Sequence, residues 1–415
     1  MIDTSRSMLF HIGNLNIESK RISYQMGTGK NLENGSDDSL LHANIIQLED
    51  KLRVTQNLKL QIVKSKAANS VSDSSFKEMK NLLDKVKIDL LKGLNDGMDR
   101  SDKLALATNL RGIRENMYDL TNVRVDGEYV FSGSVTTKQT FIKDPDYDQN
   151  GKITFEGDNF LRKIAVQPGS YRDRGVTGFE IGFYTASKAI TGDSFSFTEG
   201  ERVLDSEGHE WKLNSDETKL QRYDHNGVVY HPPVEMDVIN PSTPAVAIEA
   251  DATQQATKRV FTIDGNIPSS ITTSAGETIN TAHLQFEAKH SYFDDLNIII
   301  NALEGYSTKL NGEKAAIIDD SLVDDSLRAG LEQTSKQFDY TNIGHGELGG
   351  RNNVFNIAHD KLLSQETHYN ILLTETSAAD MTELAMKSKQ LELTYSAVYS
   401  TITRMNSLSL VNFLN

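Results

Sequence analysis

Cysteine is absent from the sequence, which removes thiolate nucleophiles, disulfides and cysteine-ligated metal sites and leaves the redox compartment open. Positive charge is short as well. The 43 basic side chains face 58 acidic ones, a net charge of −15, and such a balance repels nucleic acid and anionic membrane unless a local basic patch intervenes. No such patch stands out along the chain, so neither nucleic acid nor membrane insertion is expected. No stretch approaches the ~18 uncharged apolar residues of a membrane span. The opening "MIDTSRSMLF" has no basic region feeding an apolar core. A cytoplasmic existence fits these features, and so does export by a route that reads no cleavable signal.

Proline is scarce outside the middle of the chain. All seven prolines lie between Pro145 and Pro268, and because proline breaks helix interiors the flanks are free to carry long helices while the middle is not. From Leu41 to Leu90 apolar residues recur at three- and four-residue steps, through Ile45, Leu48 and Leu52 and then Phe76, Met79, Leu83 and Val86. That spacing predicts one stripe on a helix of roughly 75 Å at ~1.5 Å per residue. Leu104 to Val123 repeats the pattern through Leu106, Leu110, Ile113, Met117 and Leu120, after "GLNDGMDRSD" reads as a turn and a new cap. On the distal side "YFDDLNIIINALEG" predicts a short amphipathic helix and "SLVDDSLRAGLEQTSKQF" another.

From Asn353 to Asn406 there is no proline or glycine, which predicts continuous helix. Leu384, Leu391, Val398 and Met405 fall seven apart, with Met381, Tyr395 and Ile402 on the neighbouring seam position and Ser388 interrupting it. The chain then reads "NSLSLVNFLN", where Leu408, Leu410, Val411, Phe413 and Leu414 crowd a segment with little to pack against. A buried tail or a subunit contact would account for them.

The middle, 141–285, reads as all-β. Asn150-Gly151 favours a tight hairpin turn, Ile153 and Phe155 alternate as a strand requires, and "KIAVQPG", "GFEIGFYT", "SFSFTEG" and "KRVFTIDGN" read as further strands. The expected class is mainly α with a β insertion, α+β. Each helical flank is long and thin with a single stripe, so the two should pack together, antiparallel, as a rod with the β part as its head. The expected divisions are 1–40 and 41–140 on one side, 141–285 with a variable part at 190–285, and 286–370 and 371–415 on the other.

Catalytic signals are weak. "GTGKN" at 27–31 lacks the spacing and the hydroxyl residue of a phosphate loop, and His209-Glu210 has no second histidine three positions on. "DYDQNGKI" matches half a calcium loop through Asp146, Asp148, Asn150 and Gly151, but Gly157 stands at the twelfth position, where a glutamate is needed. Asp319, Asp320, Asp324 and Asp325 read as a solvated helix face. No catalytic, cofactor or metal site is expected, and the chain does not read as an enzyme.

Several motifs together resemble the flagellin-like family of bacterial flagellar proteins, and within it the hook-associated protein 3 branch of hook–filament junction proteins. "KRISYQMGTGKNLENGSDD" is similar to the segment in which an apolar helix leads through Thr28, Gly29 and Lys30 to Ser36, Asp37 and Asp38, with Ser39 where the family usually has proline. "DGEYVFSGSVTTKQTF" resembles the family signature at Tyr129, Phe131 and Gly133, the junction of rod and head, and Gly157, Asp158 and Arg162 resemble its first hairpin. "SLSLVNFLN" resembles the family tail, with Asn412 replacing the usual aspartate.

The resemblance covers about 1–180 and 290–415, and 190–285 matches nothing. It implies an assembly interface of paired terminal helices in the inner layer of a tube, made by Leu9, Ile12, Leu15, Ile22, Met381, Leu384, Leu391, Tyr395, Val398, Ile402, Met405, Leu408, Leu410, Phe413 and Leu414. It implies self-association in a ring, with a second hook-associated protein on the hook side and flagellin on the filament side. A flagellar export chaperone, the export apparatus and secretion through the export channel are implied too. The rival readings are a divergent flagellin, or a surface adhesin or hydrolase on a helical stalk.

Overall fold

The computed structural model describes residues 2–95, 98–225, 227–239 and 259–414, with side chains for all of these except 2–5, 8 and 405–414. The expectations placed on Met405, Leu408, Leu410, Val411, Phe413 and Leu414 therefore concern side chains outside the described residues.

The described helices are α1 (Ile2–Thr28), α2 (Ser39–Gly93), α3 (Arg100–Thr121), α4 (Tyr147–Asn150), α5 (Gly178–Gly182), α6 (Tyr292–Leu303), α7 (Asp320–Ser377) and α8 (Met381–Leu414). The strands are β1 (Arg124–Val125), β2 (Glu128–Tyr129), β3 (Phe141–Lys143), β4 (Ile153–Phe155), β5 (Arg162–Gln167), β6 (Ser170–Arg174), β7 (Phe183–Ile190), β8 (Ser196–Thr198) and β9 (Arg202–Asp205). They continue with β10 (Glu210–Leu213), β11 (Lys219–Tyr223), β12 (Glu235–Ile239), β13 (Val260–Ile263), β14 (Ser270–Thr272), β15 (Thr278–Asn280), β16 (Gln285–Ser291), β17 (Tyr306–Thr308) and β18 (Lys314–Ile317). The chain is mainly α with a β insertion, as its proline distribution predicts.

It divides into two compact units, residues 1–60 with 358–415, and residues 61–357. In the first, α1 and α8 run antiparallel, fixed by Asn16 beside Tyr395 at one end and Gly29 beside Ala379 at the other. The start of α2 and the end of α7 also meet there. Lys59 pairs with Glu366, which also accepts from Gln56, above the buried side chains of Leu58 and Leu362.

In the second unit α2 and α7 are again antiparallel. The Lys87 ammonium lies over the Phe338 ring, and His345 meets both Lys80 and Asp73. The stripe predicted for α2 is buried at Phe76, Met79, Leu83, Val86 and Leu90. It packs into one core with Leu110, Ile113 and Met117 of α3, Leu296 and Ile300 of α6, and Leu327 and Leu348 of α7. Asp99 caps α3, its carboxylate accepting from the Asp102 amide at 2.9 Å, as the turn sequence predicts. The β3–β4 hairpin adds Phe141, Ile153 and Phe155 to this helical core rather than to the β core.

A separate core fills the β region. Eight described strands form one antiparallel sheet in the order β7–β16–β9–β10–β11–β12–β13–β8. Ser187 of one edge strand donates to the Ser196 carbonyl beside the other at 2.7 Å, so the sheet curls toward closure. Trp211, Phe195, Phe261 and Phe286 lie inside it.

Four expectations need correction. The sheet closes through β16, whose full length pairs with β7, so the β region extends to Ser291 and not to 285. Asn150-Gly151 does not make a two-residue turn: Gly151, at φ +61°, ends the one-turn helix α4 within a longer loop. "GFEIG" is helical because Thr177 and Glu180 form a capping box, and the strand starts only at Phe183. Finally, the helix expected through 353–406 breaks at Ala378–Asp380 without proline or glycine.

Candidate assembly interface

The break between α7 and α8 has a long-range cause. Gly29, at φ +69°, ends α1, and the extended residues after it pair with the gap before α8. The Asn31 amide donates to the Ser377 carbonyl at 2.8 Å, and the Ala379 amide to the Gly29 carbonyl at 2.9 Å. Gln25, buried in α1, donates to the Asn31 carbonyl at 2.6 Å. Asp380 then caps α8, its carboxylate accepting from the Thr382 amide at 2.8 Å. Two interruptions far apart in sequence thus close one two-stranded clasp. No local sequence signal marks residues 378–380 because the partner carbonyl and amide lie hundreds of residues away.

From this clasp α1 and α8 leave side by side. On α8, Leu384 is buried, and Ser388, Leu391, Tyr395, Val398 and Ile402 are half-buried at alternating three- and four-residue steps. On α1, Ile22 is buried, and Ile12, Leu15 and Ser19 are half-buried. The Tyr395 hydroxyl donates to Asn16 Oδ1 at 2.6 Å. Ser388, which interrupts the apolar seam in sequence, keeps its place in the seam in space. Met381 does not join it: as the first residue of α8 it is exposed, and so is Leu9 on α1.

Each of the two helices also carries an exposed apolar pair, on the side away from the seam, that the sequence analysis misses. Phe10 and Ile17 stand seven apart on α1 and are 67% and 69% exposed; Met386 and Leu393, seven apart on α8, are each 64% exposed. The seven-residue spacing was the available signal. Residues repeating at that interval want a helix face to pack on, and since two residues from a seam position is about 200° around a helix, the two pairs face opposite sides of the α1–α8 pair.

The predicted junction residues lie in the other unit. Phe131 is fully buried, its ring edge-on to Phe76 of α2 with centroids 5.8 Å apart. Tyr129 is half-buried, with the Arg124 guanidinium 4.8 Å from its ring centroid. Gly133 holds φ +75°, and a Cβ there would meet the Asp158 carboxylate and carbonyl. The Asp158 side chain accepts from the Ser134 amide at 2.8 Å and the Phe160 amide at 3.0 Å, tying the segment after Gly133 to the start of the β5 approach.

Elsewhere buried polar side chains bond one another within the fold. A cleft of about 700 Å³ is bordered by His290, Glu201, Asp295 and Tyr184. His290 sits 2.9 Å from Asp295, which also accepts from the Tyr184 hydroxyl at 2.9 Å. Burial opposes ionisation of Glu201, but hydrogen bonds from His290 and the Thr198 amide outweigh it and hold its carboxyl below the ordinary value. Arg114, buried beneath the Tyr147 ring, donates to Asn297 at 3.0 Å and so joins α3 to α6. Among the described residues no group of three or more His, Cys, Asp or Glu is arranged to hold a metal ion. No described helix is long and apolar enough to cross a membrane.

No family model matches the chain. Over 133 residues it is 27% identical to flagellar hook-associated protein 3 of Salmonella typhimurium, a match covering 31% of this chain and 41% of that protein. Over 136 residues it is 25% identical to flagellar hook-associated protein 3 of Escherichia coli, covering 32% and 42%. The chain thus matches less than half the length of these curated relatives. Flagellar hook associated protein-3 of Legionella pneumophila, a solved structure, aligns with a TM-score of 0.47 at 14% identity, over 80% of this chain and 98% of that one. The chain is similar to hook-associated protein 3, as its motifs predict.

Proposed function

We propose that this chain is a structural subunit of the bacterial flagellum that joins hook to filament as a ring of identical copies. The observation that carries the reading is the apolar surface left on the α1–α8 pair: one stripe is spent within the chain, while Phe10 and Ile17 on one side and Met386 and Leu393 on the other stay exposed in a single copy. A ring of copies supplies the missing cover, taking in the exposed Leu9 and Met381 as well, with Ile12, Leu15, Ile22, Leu384, Leu391, Tyr395, Val398 and Ile402 setting the pair that is presented. The tail from Met405 through Leu408, Leu410, Phe413 and Leu414 adds to the same interface. The similarity to proteins named for their association with the hook supports this placement.

In this reading the function is packing and not catalysis. The two axial neighbours differ, a second hook-associated protein toward the hook and flagellin toward the filament, so the axial contacts are heterologous. The chain reaches this position by secretion through the flagellar export channel, escorted by an export chaperone, and motility depends on it. Electron microscopy of cells lacking the gene tests the proposal. Hooks without filaments, with flagellin lost to the medium, are expected. Normal junction proteins on bald hooks would instead make the chain a filament subunit, and intact filaments would overturn both.

A further inference from the structure

We propose that the β5–β6 hairpin is a basic docking arm that seats against an acidic surface of a second copy of this chain, an inference that rests on the self-assembly proposed above. Within a chain of net charge −15, the hairpin holds Arg162, Lys163, Arg172 and Arg174 against the single acid Asp173. Read along the sequence these charges are two separated pairs and are easily missed. Strand pairing gathers the three arginines: Arg162 stands opposite Arg174 and Ile164 opposite Arg172 on one face, while Lys163 stands opposite Asp173 on the other.

The geometry leaves part of this charge, above all that of Arg172, unspent. Like charges placed opposite each other destabilise a strand pair, and one carboxylate, Glu128, answers both, accepting from Arg162 at 2.5 Å and Arg174 at 3.3 Å. Arg172 reaches only its own hairpin, at Ser170 Oγ (3.4 Å) and the Tyr171 carbonyl (2.7 Å). Among the described residues neither Arg172 nor Lys163 has a carboxylate partner at ion-pair distance. Among the described residues the two strands pair with each other and with no other strand, and Tyr171 is 57% exposed. A lone two-stranded hairpin is marginally stable in water, so an arm of this kind gains from a surface to lie on.

The charge balance selects the occupant. Copies at −15 repel one another, and a local patch of opposite sign is what turns that repulsion into an oriented contact. The acids Asp319, Asp320, Asp324 and Asp325, four in seven residues at the start of α7, offer a counterpart of the right chemistry that stays net acidic although Lys103 pairs with Asp320 at 2.8 Å and Arg328 lies 4.0 Å from Asp325. Arm and acids are different patches, so the contact is heterologous and propagates around a ring.

Two measurements test the arm. Assembled protein, mixed from isotopically distinct copies and treated with a carbodiimide, is expected to yield a cross-link from Lys163 to a carboxylate of another copy. The variant Arg172→Glu, whose cross-strand neighbour is the apolar Ile164, is expected to need a roughly tenfold higher concentration for half-maximal assembly at low salt, with the circular dichroism and melting of the monomer unchanged. A variant that assembles at the parent's concentration with the parent's salt dependence overturns the proposal. Should the variant misfold, cross-links confined to single copies in the parent overturn it instead. A parent that stays monomeric at every concentration overturns the self-assembly reading, and the arm with it.

Discussion

Gly133 sits at φ +75°, where a Cβ would fall 2.1 Å from Asp158 Oδ1 and 2.4 Å from the Asp158 carbonyl oxygen. Gly133→Ala therefore meets both a left-handed backbone penalty and a backbone clash, and should cost about 1–3 kcal/mol in urea denaturation, with the nearby Gly127→Ala, in open space, as the control for backbone strain alone. This residue was legible in the sequence as part of a motif, whereas the charge cluster at Glu287 was not. Its partners come from across the sheet and from two residues along the strand: Lys188 at 2.9 Å, Lys289 at 2.6 Å and the Thr185 hydroxyl at 2.9 Å. Burial opposes ionisation of Glu287, but these neighbours, Lys289 foremost, win and hold its carboxyl at about 2 against an ordinary 4.5. A depressed carboxylate stabilises the fold fully above its ordinary value and loses that contribution as pH falls toward 2. Glu287→Gln should be less stable than the parent at pH 7, and its urea midpoint should change less between pH 4.5 and 2.

At the scale of elements, periodicity carried most of what the sequence could say. Three- and four-residue spacing located α2, α3 and the seam of α8, because a helix face buried along its length leaves that signature. The break at Ala378–Asp380 and the helical turn at α5 left none, since one depends on pairing with Lys30 and Asn31 and the other on a cap at Thr177 hidden in a strand-like run. The seam itself yields a graded prediction. Ile22 is 4% exposed, so Ile22→Ala should cost about 2–5 kcal/mol, read as faster hydrogen exchange throughout α1 and α8. Leu391 is only half-buried in the single copy. Leu391→Ala should cost under about 2 kcal/mol there yet block assembly, if other copies complete its burial. Equal effects of the two substitutions on exchange, or normal assembly of Leu391→Ala, would remove Leu391 from the interface.

At the scale of the molecule the question is whether the β region can be removed without losing the helical core. The two cores share no buried residue, which favours separability, and the expected division at 285 fails only because β16 is a strand whose partner lies ahead of the insertion. Its register gives the correct cut: Ile190 pairs with Gln285 at the open end of the β7–β16 ladder. Residues 191–284 can therefore be replaced by Asn-Gly, a pair suited to a two-residue hairpin turn, with β7 and β16 still bonded to each other. Two costs follow. The edge of β16 loses β9 and becomes an exposed template for aggregation, and Leu204 of β9, which is buried in the helical core, goes with the deletion. A Phe286→Thr change in the shortened chain removes the largest apolar side chain newly exposed, and the vacancy left by Leu204 should cost about 2–5 kcal/mol of helical-core stability. The shortened chain should keep its helical circular dichroism, melt cooperatively at a lower temperature, and still assemble in vitro. Loss of cooperative melting would mean that the β region is part of the helical fold. Retained melting with lost assembly would place subunit contacts inside 191–284.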